Sequence, residues 1–147
     1  MNIVIPMAGY SKRFRVEGYR KPKFLLPLNN KTIIENVVEM FSKDDTFHFI
    51  LNKVDIDNHP EIIKILNNCV MNCKIYKIEG HSKGPVRSII NAKLKIQRGE
   101  IIVSYCDFLV RWDYINFKKI SFGYKCSVPC FKGFHPASLG KTLYAYL

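Results

Sequence analysis

Apolar positions recur along this chain with two periods, and the switches between them mark its elements. A β-branched run, Ile3-Val4-Ile5, begins almost at the first residue and predicts a buried parallel strand over 2–6. It breaks at Ala8-Gly9, and residues 7–22 read as a loop in which Pro22 biases Lys21 towards an extended backbone. Residues 24–28 form a short apolar segment, closed by a polar Asn29-Asn30 turn. Thr32 and Glu35 have the spacing of a capping box, and Ile33, Val37, Met40 and Phe41 follow at helical spacing, predicting an amphipathic helix over 33–42. Further strands are predicted at 47–52, 72–78, 101–105 and 125–131, and further helices at 60–67, 85–96 and 113–119. In the helix at 85–96, Val86, Ile89, Ile90 and Leu94 fall on one side. Strands alternating with helices predict an α/β fold, a three-layer parallel sheet with right-handed crossovers, in one domain over 1–147.

Composition narrows this picture. The apolar fraction of 48% and charged fraction of 24% are those of a chain with a real core, not of a disordered one. The sequence has no apolar run of about eighteen residues, which would be needed for a membrane helix, and no leader pattern at its start. A cytoplasmic protein is therefore expected. Five cysteines in a reducing compartment imply no disulfide framework. The spacing of Cys69/Cys73 and Cys126/Cys130 is looser than that of zinc pairs, so buried free thiols are expected. Cys106 has no base beside it that would make it a nucleophile.

A net charge of +11 points to an anionic partner. Nucleic acid is one candidate, but no helix-turn-helix, zinc finger or RNA-recognition aromatic pair is present. The densest basic cluster, Lys12, Arg13, Arg15, Arg20, Lys21 and Lys23, lies inside the loop that follows the first strand. A buried strand feeding a small-residue loop with fixed cations is how open α/β sheets hold phosphates at the carboxyl ends of their strands. A small phosphorylated ligand is thus favoured over nucleic acid.

The run Met7-Ala8-Gly9-x-Ser11-x-Arg13-Phe14, with Gly18-Tyr19-x-x-Pro22-Lys23-x-Leu25-Leu26-Pro27-Leu28 and Lys31-Thr32-Ile33-Ile34-Glu35 after it, resembles the signature region of the sugar-phosphate nucleotidyltransferases. The form of the loop is nearer to a divergent bacterial branch that serves capsule and surface-polysaccharide pathways. Tyr10 stands where that family's second glycine usually falls, and Lys12 is inserted before Arg13. The resemblance implies a three-layer α/β/α, Rossmann-like, mostly parallel sheet. It also implies transfer of a nucleoside monophosphate from an NTP to a phosphorylated acceptor, with release of pyrophosphate. CTP and UTP are the favoured nucleotides.

Such a transfer needs fixed positive charge, a divalent metal and in-line alignment more than a covalent partner. By resemblance, Arg13 and Lys23 contact the triphosphate as catalytic cations, and Met7, Ala8, Gly9 and Ser11 line the nucleotide loop. Lys12, Arg15, Arg20 and Lys21 are assigned to solvent. Asp107 follows the apolar run Ile101-Ile102-Val103 at a strand's carboxyl end, where a hard oxygen ligand suits Mg²⁺. The family carries an aspartate there, after a glycine that Cys106 replaces. Asp113 is the other candidate, although it reads as a helix start. The turn Gly80-His81-Ser82-Lys83-Gly84-Pro85 resembles the family's base-reading turn, which brings in Gly84 and, with less support, Arg87 and Ser88. His81 reads as an exposed loop histidine.

Ser138-Leu139-Gly140-Lys141-Thr142 has the tail of a P-loop, but His135 stands where its opening glycine belongs. The segment 131–147 instead resembles the strand and loop entering the family's acceptor half, the rest of which is expected to lie in a longer enzyme or in another subunit. The apolar run at 143–147 also favours self-association.

Overall fold

The computed structural model describes residues 1–96 and 99–130. By internal contacts the chain divides into two compact units, Met1–Trp112 and a second one from Asp113. The first unit is built on four parallel strands: β1 (Asn2–Met7), β4 (Thr46–Asn52), β5 (Asn72–Ile78) and β6 (Ile101–Val103), in the order β5-β4-β1-β6. A separate two-stranded hairpin joins β2 (Pro27–Leu28) to β3 (Lys31–Thr32). Its two-residue loop, Asn29-Asn30, has positive φ at both positions (50° and 63°), the geometry that suits a tight hairpin.

Strand register sorts the core. Ile3 pairs with Phe47, Val4 with His48 and Pro6 with Ile50, while Phe49 pairs with Ile75 and Asn52 with Ile78. Alternation then places Val4, Ile50 and Ile78 on one face, where Ala8 joins them and Ile89, Ala92, Leu94 and Ile96 pack on top. Residues of opposite parity, Ile3, Ile5, Phe47, Phe49 and Leu51, are fully buried on the other face. There Phe47 meets Phe41 edge-on at 6.1 Å. The helices are α1 (Lys12–Val16), α2 (Ile33–Val38), α3 (Lys53–Asn58), α4 (Glu61–Cys69) and α5 (Pro85–Ala92). The second unit holds α6 (Tyr114–Ser121), whose cap Asp113 accepts from the Asn116 N–H at 2.9 Å. Asp113 is therefore a helix cap, as its sequence context suggests.

The predicted capping box is present: the Thr32 N–H donates to Glu35 Oε2 at 2.6 Å, and the Glu35 N–H to Thr32 Oγ1 at 3.4 Å. Donation to Glu35 Oε2 by the Thr32 hydroxyl at 2.7 Å, together with that from the Thr32 N–H, holds the Glu35 carboxyl below its ordinary range. One buried histidine lies within the sheet. His48 Nε2 faces Asn2 Oδ1, which can only accept, so that nitrogen carries the proton and Nδ1 accepts from the Tyr76 hydroxyl, each at 3.1 Å.

Several elements differ from expectation. Helix α2 ends at Val38 instead of 42, although Phe41 stays buried. The loop over 7–22 contains α1, and α3 stands where no helix is predicted. Helix α5 stops at Ala92, where Lys93 turns left-handed, and it is rotated so that Val86 and Ile90 are exposed and Ser88 is buried. Strand β6 is an edge strand among the described residues, with Ile101 and Val103 51% and 55% exposed. Residues 125–130 form no strand, since they are exposed coil containing Pro129, which has no N–H for a ladder. Cys126 and Cys130 are exposed, not buried. Residues 131–147, with the Gly-Lys-Thr run and the segments read as an acceptor half, lie outside the described residues.

Candidate functional site

The carboxyl ends of β1, β5 and β6 converge on one set of loops. Past Val4 and Val103 the ladder continues with the Ser104 N–H donating to the Val4 carbonyl at 3.0 Å, so Asp107 follows β6 on the side where β1 opens into its loop. Met7 and Ala8 are buried, and Ala8 belongs to the core, so they offer a ligand only backbone. Beyond them Gly9 bridges to His81, whose N–H donates to the Ala8 carbonyl at 3.3 Å. The structure thus joins the glycine loop to the turn at 80–84, two motifs some seventy positions apart in sequence.

The loop is braced from three sides. Tyr10 donates its hydroxyl to the Gly80 carbonyl. Ser11 turns left-handed (φ 52°) to start α1. Arg15 then reaches back, its Nε donating to the Tyr10 carbonyl at 3.0 Å and its guanidinium pairing with Asp55 at 3.2 Å. Asp55 is 3% exposed, and burial raises its pKa even with Arg15 and His59 pulling the other way. Arg15, although 48% exposed, is therefore held in place as a strut. Sequence reading missed Asp55 because α3 was not foreseen. The available signal was Asn52, which caps that helix by accepting from the Val54 N–H at 3.1 Å.

The turn at 80–84 is equally ordered. His81 Nδ1 accepts from the Lys83 N–H at 3.2 Å, which leaves Nε2 protonated to donate to the Ser88 hydroxyl at 3.2 Å. His81 is thus bound into the turn and is not a free loop side chain. Ser88 is 3% exposed and supports the turn from behind. Gly84 has φ +84°, and nothing lies within 4 Å of where a side chain would stand, so it presents open, flat backbone just before Pro85 begins α5.

The third side carries the charge. Pro22 leads into a short 3-10 turn over Lys23–Leu25, anchored by buried Phe24 and Leu25. It presents Lys23, whose Nζ stands 2.7 Å from Asp107 Oδ2 across 84 residues of sequence. The two side chains are 27% and 31% exposed, and a pair that open contributes about 1 kcal/mol at most to folding. Arg13 lies on exposed α1 with no ion-pair partner among the described residues. Beside Asp107, Cys106 is buried, and burial pushes its thiol up to about 12, so it stays a protonated thiol. No group of three or more His, Cys, Asp or Glu side chains suited to a metal occurs among the described residues. One carboxylate fits a hard cation that arrives with phosphates and keeps its waters, as Mg²⁺ does. An open hollow of about 610 Å³ lies between Asn29, Asn36, Glu39, Met40 and residues 109–112, and none of the candidate residues lines it.

No protein-family model and no curated protein matches this chain. Solved structures do. A nucleoside-diphosphate-sugar pyrophosphorylase from Vibrio cholerae RC9 superposes with a TM-score of 0.58 at 24% identity, over 74% of this chain and 50% of its own. A UDP-glucose pyrophosphorylase solved with UDP-glucose gives 0.59 at 19% identity, over 85% of this chain and 54% of its own. The chain spans about half the length of each, and at these identities what the three share is the α/β fold with its mostly parallel sheet.

Proposed function

We propose that this chain is the nucleotide-binding part of a sugar-phosphate nucleotidyltransferase, of the bacterial branch that serves capsule and surface-polysaccharide pathways. It moves a nucleoside monophosphate from an NTP, CTP or UTP by preference, to a sugar phosphate or another small phosphorylated acceptor, and releases pyrophosphate. The observation that carries this reading is the meeting of Lys23 and Asp107 at 2.7 Å on the side where β1 opens into the glycine loop. A cation and a hard oxygen ligand placed together are what a metal-bound triphosphate requires.

Backbone at Met7, Ala8, Gly9 and Ser11 forms the floor for the nucleotide, and Gly84 offers a flat surface to the base. Lys23 and Arg13 direct fixed positive charge at the triphosphate, where it strengthens as negative charge builds on the α-phosphate and the departing pyrophosphate. Asp107 would hold Mg²⁺, which supplies further neutralisation of the phosphate oxygens when bound. Ser88 acts through His81 to keep the turn in place. The second reading is nucleotide binding without turnover.

The deciding experiment is a melting-shift screen of the four NTPs with Mg²⁺, followed by pyrophosphate release with a panel of acceptor phosphates. Stabilisation by one NTP and not by oligonucleotides is expected. Arg13→Ala and Lys23→Ala should each shrink that shift severalfold while leaving the intrinsic melting temperature within a few degrees, as loss of exposed cations implies. Equal stabilisation by oligonucleotides would replace this reading with a nucleic-acid one. Binding without pyrophosphate release would leave the second reading.

A further inference from the structure

We infer that the Lys23–Asp107 pair is an electrostatic latch that makes this site select the metal complex of a nucleoside triphosphate over the free nucleotide. The inference rests on the nucleotide reading given above. With no ligand present, each charge has the other as its partner at 2.7 Å. A metal-free triphosphate must take Lys23 away from Asp107 and then lie beside an unpaired carboxylate, so it gains one attraction and meets one repulsion. A triphosphate that brings its cation offers both groups a new partner at once, Lys23 to a phosphate oxygen and Asp107 to the cation. Nothing needs to be left unpaired.

Three further features suit such an exchange. The pair is open enough to be weak and quickly remade. Its two halves come from elements far apart in sequence, the 3-10 turn after Pro22 and the segment after β6, so folding alone brings them together. Lys23 is also held at its base by buried Phe24 and Leu25, which limits its reach to the mouth of the loop.

Affinity for each NTP, measured by calorimetry on the full chain in EDTA and in Mg²⁺, tests the latch. The wild type should bind more tightly with Mg²⁺. Asp107→Asn should bind metal-free NTP about fivefold more tightly than wild type, the ratio that a pair of this exposure can hold back, and should gain little from Mg²⁺. Removing a negative charge near an anion site would help binding in a general way too, so the double variant decides. If Lys23 is what Asp107 restrains, the gain in Lys23→Met/Asp107→Asn relative to Lys23→Met is smaller than the gain seen with Lys23 present, only the relief of repulsion remaining. Asp107→Ser repeats the test with a shorter side chain. Metal-free affinity that is unchanged or weaker in Asp107→Asn, or a gain equally large without Lys23, overturns the latch and leaves nucleotide binding standing. If no NTP binds the wild type in either buffer, the latch and the functional reading fall together.

Discussion

Gly80 is confined by its neighbours: an added Cβ would lie 2.5 Å from Asn52 Nδ2 and 2.8 Å from a ring carbon of Tyr10. Neither can retreat freely, since Asn52 caps α3 and Tyr10 is tied to the Gly80 carbonyl. Gly80→Ala should therefore lower stability by about 1–3 kcal/mol, as overpacking does, and weaken NTP binding as well, because the displaced residues are the loop's own braces. A urea titration with an NTP melting shift checks both; full binding at wild-type stability would show that the loop tolerates the displacement. His48 makes a second prediction. Burial, aided by Lys74, lowers its pKa from the ordinary 6.5. As pH falls, the unfolded chain takes up that proton before the native imidazole does, so stability is full above about 6.5 and declines below it. Urea midpoints should fall between pH 7.5 and 5.5, and the fall should be smaller in His48→Gln.

Among the elements, the glycine loop after β1 owes its shape to α3, which it never follows in sequence. Arg15→Met removes the strut and leaves the buried Asp55 carboxylate without its half-exposed partner, so it should cost about 1–2 kcal/mol and reduce NTP affinity although Arg15 is not assigned to the phosphates. Asp55→Asn in the same chain should recover part of the stability, and a double-mutant cycle by urea unfolding measures the coupling. The cap of α2 is simpler: Thr32→Ala should cost about 1 kcal/mol. What could be read from sequence follows from locality. Strand β1, strand β5 and the capping box are set by residues within a few positions of one another, and each was legible. The partner of Arg15 and the edge position of β6 among the described residues depend on residues tens of positions away. Val86 and Ile90 show the same limit: helical spacing names a face, but the register of α5 on Val4, Ala8 and Ile78 decides which face is covered. Lys23 and Asp107 were each singled out as candidates from their motifs, and only the sheet order shows that they meet.

At the scale of the whole molecule, a charge of +11 acts on folding and on binding with opposite signs. Most of the basic residues repel one another across the surface, which works against the compact state, and dissolved salt screens that repulsion over a Debye length of about 10 Å at 0.1 M. On the proposed function the same field would draw a triphosphate towards the loop, and salt would weaken that attraction too. Raising NaCl from 50 to 300 mM should therefore raise the melting temperature of the unliganded chain while shrinking the additional shift given by an NTP with Mg²⁺. Scanning fluorimetry across the salt series gives both numbers from one plate. Opposite slopes would place the nucleotide in the field of the basic loop. Parallel slopes, or an NTP shift indifferent to salt, would mean that the excess charge is spread over surfaces the ligand never approaches, and that Lys23 and Arg13 hold it by contact alone.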